Sequence, residues 1–115
     1  MPEPELTAED RKLVTLARAT RARIGAAEGA AVRDENGRTY AAGTVDLPSL
    51  QVSAVQVCVA MAISSGSAGL EAVVVLGESG QVAAGDLAVV REFAGAGVPV
   101  HVGDARGKIS DSASS

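Results

Sequence analysis

The first part of the chain has a helical hydrophobic period. From Leu13 to Ile24, apolar and small residues recur every three or four positions, which predicts one buried stripe on a helix that ends near Arg23. Thr7 is the predicted N-cap of this helix, and Asp10, three positions further on, is its predicted capping-box partner.

A β-hairpin is predicted to follow this helix. Residues 29–32 and 39–42 flank a polar segment in which Asn36 and Gly37 tolerate positive φ, so we expect a two-residue type I′ turn. Residues 44–49 contain Pro48, and we expect them to form a loop.

The second half of the chain predicts a crossover. Residues 52–65 carry no charge and are apolar on nearly every face, which indicates a helix that is covered on more than one side. The apolar run 72–76 is typical of an inner strand buried on both faces. A helix over 85–94 and a strand over 98–102 come next, and this succession favours a right-handed parallel crossover. The predicted order is α-β-β-α-β-α-β, an α/β fold with a mixed sheet.

The ends of the chain differ from its centre in composition. We expect an acidic flexible leader over residues 1–6 and one folded domain over residues 7–103. Residues 104–115 are rich in Gly, Ser, Asp and Lys, and we expect a flexible tail.

Composition limits the classes of function. Of the 115 residues, 47% are hydrophobic but only 2% are aromatic, so the core is aliphatic and aromatic platforms for stacking bases are scarce. A net charge of −4 argues against non-specific nucleic-acid binding by the whole surface. A single cysteine and a start without a signal-peptide pattern indicate a cytoplasmic protein. The unbroken apolar run Val57–Ile63 is too short to span a membrane.

Four segments with their spacing resemble the homotetrameric, zinc-dependent cytidine deaminase family. They are Glu28-Gly-Ala-Ala-Val32 with the turn before Tyr40, Ser53-Ala-Val-Gln-Val57 with its ending at Gly66, the strand 72–77, and Val82-Ala-Ala-Gly-Asp86 with Phe93. The resemblance implies a cytidine deaminase-like three-layer fold. It also implies a C-terminal truncation, because the family continues past the last predicted strand where this chain has a serine-rich ending.

The positions that carry the family's chemistry are altered. The resemblance places the first zinc thiolate at Ser53, the catalytic carboxylate at Val55, and the two later thiolates at Ala83 and Asp86. Ser53 and Asp86 alone are a poor zinc ligand set, and Val55 cannot move a proton. We therefore expect no cofactor, a metal position filled by Val55 and Ala83, and a catalytically inactive family member with a structural or partner-binding role.

Two other functions remain open at this point. The residues that grip ribose in the family fall on Thr44 and Asp46, while the family's pocket phenylalanine falls near Ala26, so one alternative is a nucleoside-binding sensor. The other is a module that docks an acidic protein or RNA through a basic first helix. The simpler interpretation of these basic residues is that they form a solvated face of the helix. The basic residues of that helix are Arg11, Lys12, Arg18, Arg21 and Arg23.

Four further expectations concern single elements. The uncharged segment Val52–Ile63 predicts a homo-oligomer, dimer or tetramer, with its interface close to this helix. Cys58 is expected to be buried and inert. His101 is expected to be an ordinary exposed or edge histidine, and Glu78 and Asp86 to be surface carboxylates near a helix start.

Overall fold

The computed structural model describes residues 6–115, so residues 1–5 of the predicted leader lie outside the described residues. The helices are α1 (Ala8–Ile24), α2 (Ala54–Ser64) and α3 (Ala84–Ala94). The strands are β1 (Gly29–Asp34), β2 (Thr39–Gly43), β3 (Val45–Leu47), β4 (Leu50–Val52), β5 (Leu70–Leu76), β6 (Pro99–Gly103) and β7 (Ile109–Ser114).

One five-stranded sheet has the order β2-β1-β5-β6-β7. Only β5 and β6 are parallel neighbours in this sheet, and α3 connects them, as the predicted crossover requires. The other neighbouring pairs are antiparallel. The α/β class and the mixed sheet are therefore confirmed.

The sheet lies between two helical layers, because side chains alternate along each strand. On β5, Val73 and Val75 pack in the cluster that contains α2 and α3 residues. Val74 and Leu76 point the other way and pack with Leu13 of α1. The three-layer fold and the inner strand buried on both faces are as predicted.

Helix α1 begins at a threonine N-cap and ends at a glycine, and both residue types are typical of helix ends. Thr7 Oγ1 accepts a hydrogen bond from the Asp10 backbone N–H at 3.0 Å, which confirms the predicted N-cap. The helix ends at Gly25, whose φ of 65° is left-handed and favours glycine. The predicted role of the Asp10 side chain is wrong, however: its carboxylate binds Arg33 and His101 instead of returning a bond to the cap.

The turn between β1 and β2 differs from the predicted type I′ turn. Asn36 does not have positive φ, and Gly37 alone takes it, at 82°. The physical reason is Asp34, whose Oδ1 accepts backbone N–H bonds from Asn36 and Arg38, both at 2.9 Å. With these two bonds the carboxylate stabilises a four-residue loop, residues 35–38, in place of the predicted two-residue turn.

Two predicted irregular segments contain strands. Residues 44–49 do not form a simple loop, because β3 and β4 pair as a small separate hairpin. Residues 104–115 do not form a flexible tail, because β7 pairs with β6 and Ile109 is buried against the α1 face of the sheet. A short polar edge strand leaves most of its side chains exposed, so its composition resembles that of a tail.

Within residues 6–115, no helix combines the length and the apolar character that crossing a lipid bilayer requires.

Candidate functional site

The N-terminus of α2 is fixed by a complete capping box. Ser53 Oγ accepts the Gln56 backbone N–H at 3.1 Å, and Gln56 Oε1 accepts the Ser53 backbone N–H at 3.0 Å. Ser, any residue, any residue, Gln is the sequence signature of this arrangement. The side chain at position 53 is therefore held at the point where α2 meets α3.

Asp86, in the first turn of α3, lies against this cap. Ser53 Oγ donates a hydrogen bond to Asp86 Oδ1 at 2.6 Å. Asp86 is only 4% exposed, so its prediction as a surface carboxylate is wrong. The predicted surface position of Glu78 is confirmed, because that side chain is exposed. Asp86 is buried because the first turn of α3 packs against the N-terminus of α2.

Val55 and Ala83, the two residues expected to fill the former metal position, lie in different environments. Val55 is fully buried in the core between α2 and the sheet. Ala83 is the N-cap of α3 and is exposed. Ser53 and Asp86 thus contact each other directly, with Ala83 at the surface beside α3.

These residues do not fit a catalytic zinc ion. Two oxygen ligands about 2.0 Å from one tetrahedral zinc lie about 3.3 Å apart, whereas Ser53 Oγ and Asp86 Oδ1 are 2.6 Å apart and share a proton. The Ser53 hydroxyl is a neutral ligand, and Ala83 has no donor atom. Among residues 6–115, no group of three His, Cys, Asp or Glu side chains is placed to hold a metal ion.

Glu28 is a further acidic residue near this site. Its pKa is raised above the ordinary value, first by burial and second by the negative charge of Asp86. Its side chain lies against Gly77, where an added Cβ would come within 2.9 Å of Glu28 Cγ. The sequence reasoning missed this residue, and its one signal was a charge at the start of an apolar strand.

Thr44 and Asp46 line one groove, as the predicted ligand-binding pair requires. The groove is open, has a volume of about 540 Å³, and also contains Ala26. Thr44 Oγ1 already accepts the Glu28 backbone N–H at 3.0 Å and contacts the Glu28 carbonyl at 3.3 Å. Asp46 is exposed on β3, so of the two side chains it is the one more open to a ligand.

The basic residues of α1 occupy more than one environment. Arg11, Lys12 and Arg23 are exposed. Arg18 donates to the Arg106 carbonyl at 3.3 Å, and half-buried Arg21 donates to the Ala27 carbonyl at 3.1 Å. Two of the five cations therefore also hold α1 against neighbouring loops.

Helix α2 packs one side into the core and leaves apolar surface on the other. Cys58 is fully buried, as predicted, and burial raises the pKa of its thiol to about 12. Ile63, near the end of the helix, is 52% exposed. The exposed apolar surface is the part of Val52–Ile63 available to a partner.

His101 is not the exposed or edge histidine that the alternating strand predicted. It is 6% exposed and lies on the α1 face of the sheet. Its two ring nitrogens contact Asp10 and Ser112. The error has a physical cause: β7 and the start of α1 cover this position, and the sequence pattern of β6 shows neither.

The comparisons with known proteins agree with this architecture. A family model described as Cytidine deaminase-like matches residues 6–107. Cytidine deaminase from Burkholderia pseudomallei superposes with a TM-score of 0.80 and 19% identity, over 95% of this chain and 93% of that chain. Cytidine deaminase from Mycobacterium leprae superposes with a TM-score of 0.71 and 19% identity, over 84% of this chain and 89% of that chain. Cytidine deaminase from Mycobacterium tuberculosis superposes with a TM-score of 0.68 and 20% identity, over 84% of this chain and 85% of that chain. No curated protein sequence matches significantly.

Proposed function

This chain belongs to the cytidine deaminase-like family, and on that premise we propose that it is a non-deaminating member with a structural or partner-binding role. The fold is shared with cytidine deaminases at a TM-score of up to 0.80 among those compared, while the residues at the expected metal position are of a different chemical kind. A fold shared with enzymes leaves the activity to be decided by the site.

The observation that carries this proposal is the hydrogen bond between Ser53 Oγ and Asp86 Oδ1 at 2.6 Å. It engages the Ser53 hydroxyl and one of the two Asp86 carboxylate oxygens, and it holds the start of α3 against the start of α2. Val55, which stands at the expected position of the proton-transferring carboxylate, is fully buried in the core and has no titratable group.

Two measurements on the purified chain test the proposal. We expect less than a tenth of a zinc ion per chain by metal analysis after incubation with zinc and buffer exchange. We also expect no formation of uridine from cytidine above the rate without protein. One tightly held zinc per chain, or cytidine turnover that depends on the protein, would overturn the proposal.

Assembly through α2 is the structural role that the exposed surface favours. Ile63 is 52% exposed and Ala60 is also exposed, on a helix that carries no charge. We expect a dimer or tetramer by light scattering, and Ile63→Arg is expected to shift it towards the monomer, whereas Ser64→Arg is the matched control. A wild-type chain that stays monomeric at tens of micromolar would exclude this role.

A nucleoside sensor is the second candidate, and the groove of about 540 Å³ favours it because Thr44 and Asp46 both line it. Asp46 is exposed, and its carboxylate is a suitable acceptor for paired sugar hydroxyls. We expect thermal shifts with millimolar cytidine or uridine if the sensor is correct, and their loss in Asp46→Ala. No shift with any nucleoside would remove this candidate.

Docking of an acidic protein or RNA through α1 is tested most cleanly at its freely exposed cations. Arg18 and Arg21 hold neighbouring carbonyls, so reversing their charge would disturb the fold as well as the surface. Arg11→Glu with Arg23→Glu changes exposed positions only. If α1 is the docking surface, this pair of substitutions abolishes capture of the partner and leaves the melting temperature unchanged.

A further inference from the structure

Three polar side chains meet on the α1 face of the sheet, the face opposite to α2 and α3. His101 Nδ1 lies 2.6 Å from Ser112 Oγ, and His101 Nε2 lies 3.1 Å from Asp10 Oδ2. His101 and Asp10 are 6% and 7% exposed, whereas Ser112 is exposed on β7. A buried imidazole thus connects a buried carboxylate to the hydroxyl of an exposed serine.

The pattern of donors and acceptors assigns the tautomer of the histidine. An ionised carboxylate only accepts hydrogen bonds, so the nitrogen that faces Asp10 must carry a proton. In the neutral ring the other nitrogen, Nδ1, is then an acceptor, and it must receive the hydroxyl proton of Ser112. The hydroxyl oxygen is left with its lone pairs directed away from the imidazole.

Asp10 is held from two further directions. Its backbone N–H donates to Thr7 Oγ1, which fixes this residue in the first turn of α1. Arg33 Nη2 lies 3.0 Å from Asp10 Oδ1, and Arg33 Nε lies 2.9 Å from Glu71 Oε1. The carboxylate therefore faces a fixed positive charge on one side and the imidazole on the other, so its orientation is set.

We infer that Ser112 is a reactive serine that accepts acyl groups from small activated esters and phosphonyl groups from fluorophosphonates, with His101 as the general base and Asp10 as the positioning residue. A nucleophile within hydrogen-bond reach of a base, which a third group orients, is the arrangement that activates serine. The inference does not depend on the proposed function, because none of these residues belongs to the Ser53–Asp86 site.

The reaction with an ester balances without any further reagent. The Ser112 proton passes to His101 Nδ1 while Oγ forms a bond to the carbonyl carbon, whose oxygen takes the π electron pair. The intermediate then collapses, the bond to the alkoxide leaving group breaks, and the alkoxide takes the proton from Nδ1. The products are acylated Ser112 and an alcohol. With a fluorophosphonate, the Oγ–P bond replaces the P–F bond, and fluoride and a proton are released.

The edge position of β7 favours small reagents of low selectivity. β7 pairs with β6 on one side only and lies at the end of the sheet, so an electrophile approaches Ser112 from solvent. The same strand carries two other exposed serines, Ser114 and Ser110, and Ser110 Oγ donates to the Val102 carbonyl at 3.4 Å. They provide internal controls of similar exposure.

The experiment is labelling of the folded chain with a fluorophosphonate probe, followed by intact mass and peptide mapping. We expect one label, on Ser112, and no label in Ser112→Ala. Ser110→Ala and Ser114→Ala are expected to label like the wild type. His101→Gln is expected to slow labelling at least about 100-fold, the lower range of general-base effects. A label spread equally over the three serines, or an unchanged rate in His101→Gln, would overturn the inference.

The pH profile separates a positioning role of Asp10 from a merely structural one. The labelling rate of the wild type should rise with pH, as expected for general-base catalysis, and Asp10→Asn should change the shape of that profile. Circular dichroism establishes that each variant is folded. An Asp10→Asn profile identical to that of the wild type would remove Asp10 from the assignment.

A cysteine pair keeps the test independent of whether the histidine variant folds. Ser112→Cys and Ser114→Cys place thiols on the same strand, and Cys58 is buried with its pKa raised to about 12. The thiol at position 112 is expected to react with iodoacetamide at least about 10-fold faster at neutral pH, because a neighbouring imidazole favours the thiolate. Equal rates at the two positions would contradict a base at His101.

Discussion

Ser53 and Asp86, separated by 33 positions in the chain, share a hydrogen bond of 2.6 Å between Oγ and Oδ1. The bond joins the first turn of α3 to the N-cap of α2. The Ser53 hydroxyl therefore both caps α2 and provides a hydrogen-bond donor for the buried Asp86 carboxylate. The sequence resemblance places two of the expected zinc-ligand positions at this junction. Here it is closed by a proton shared between two oxygen atoms.

Ser53→Ala is expected to lower the free energy of unfolding by about 2 to 4 kcal/mol. About 1 kcal/mol is the usual cost of losing a serine N-cap, and about 1 to 3 kcal/mol that of leaving a buried acceptor unpaired. Urea denaturation at neutral pH measures the difference. Ser49→Ala, at an exposed position, is the matched control and should change little. A loss below about 0.5 kcal/mol would show that the bond is not formed in solution.

The variant Ser53→Cys, Ala83→Cys, Asp86→Cys is expected to bind one zinc ion per chain. If the two helix starts are arranged as in the family, three thiolates at these positions supply the soft ligands that a zinc site requires. Titration with zinc against a chromophoric chelator measures the stoichiometry. Ser53→Cys with Ala83→Cys alone is the control and should bind far more weakly. Failure of the triple variant to bind would mean that the junction has lost the geometry as well as the ligands.

Stability should fall steeply in acid because of Asp34. The Ser67 hydroxyl, at 2.6 Å from Asp34 Oδ2, and the backbone N–H groups of Arg38 and Asn36 lower the pKa of this fully buried carboxylate below 3.8. A depressed pKa contributes stability that is present above the unfolded pKa of about 3.9 and is lost as pH falls through the folded value. The urea midpoint should therefore decline below about pH 4.

Asp34→Asn is expected to reduce the urea midpoint at pH 7 and to flatten its decline in acid. The amide has one NH₂ group in place of a carboxylate oxygen, whereas the Asn36 and Arg38 backbone N–H groups and the Ser67 hydroxyl all donate to Asp34. The hydrogen bonds that hold the loop after β1 are therefore weakened. Asp46→Asn, at an exposed carboxylate, should change neither quantity much. An Asp34→Asn profile parallel to that of the wild type would assign the acid sensitivity to other groups.

Glu28→Gln is expected to leave stability at pH 7 unchanged or to raise it slightly. Burial and the charge of Asp86 raise the pKa of Glu28, so the folded state binds this proton more tightly than the unfolded chain does. In the window from the ordinary value of 4.5 up to the raised value, stability falls as pH rises, and a neutral amide removes that loss. Thermal melts between pH 4 and pH 8 measure the effect, with Glu78→Gln as the exposed control. Clear destabilisation by Glu28→Gln at pH 7 would contradict it.

Local patterns were sufficient for most of the regular elements. The period of α1 and the continuous apolar run of β5 each follow from how one element buries its own side chains. The same holds for Thr7 as an N-cap, since the capping bond spans three residues. Together with the spacing of the family-like segments, these patterns predicted the three-layer fold.

The failures have one common cause, which is that the deciding contacts join distant parts of the chain. Asp34 selects the hairpin turn with a carboxylate that also binds Ser67. β7 is a strand only because β6 offers it an edge, and that strand together with Asp10 buries His101. Residue types show that Ser53 and Asp86 are poor zinc ligands. That they bind each other is decided by how α2 and α3 pack, because a contact across 33 positions leaves no periodic mark in the sequence.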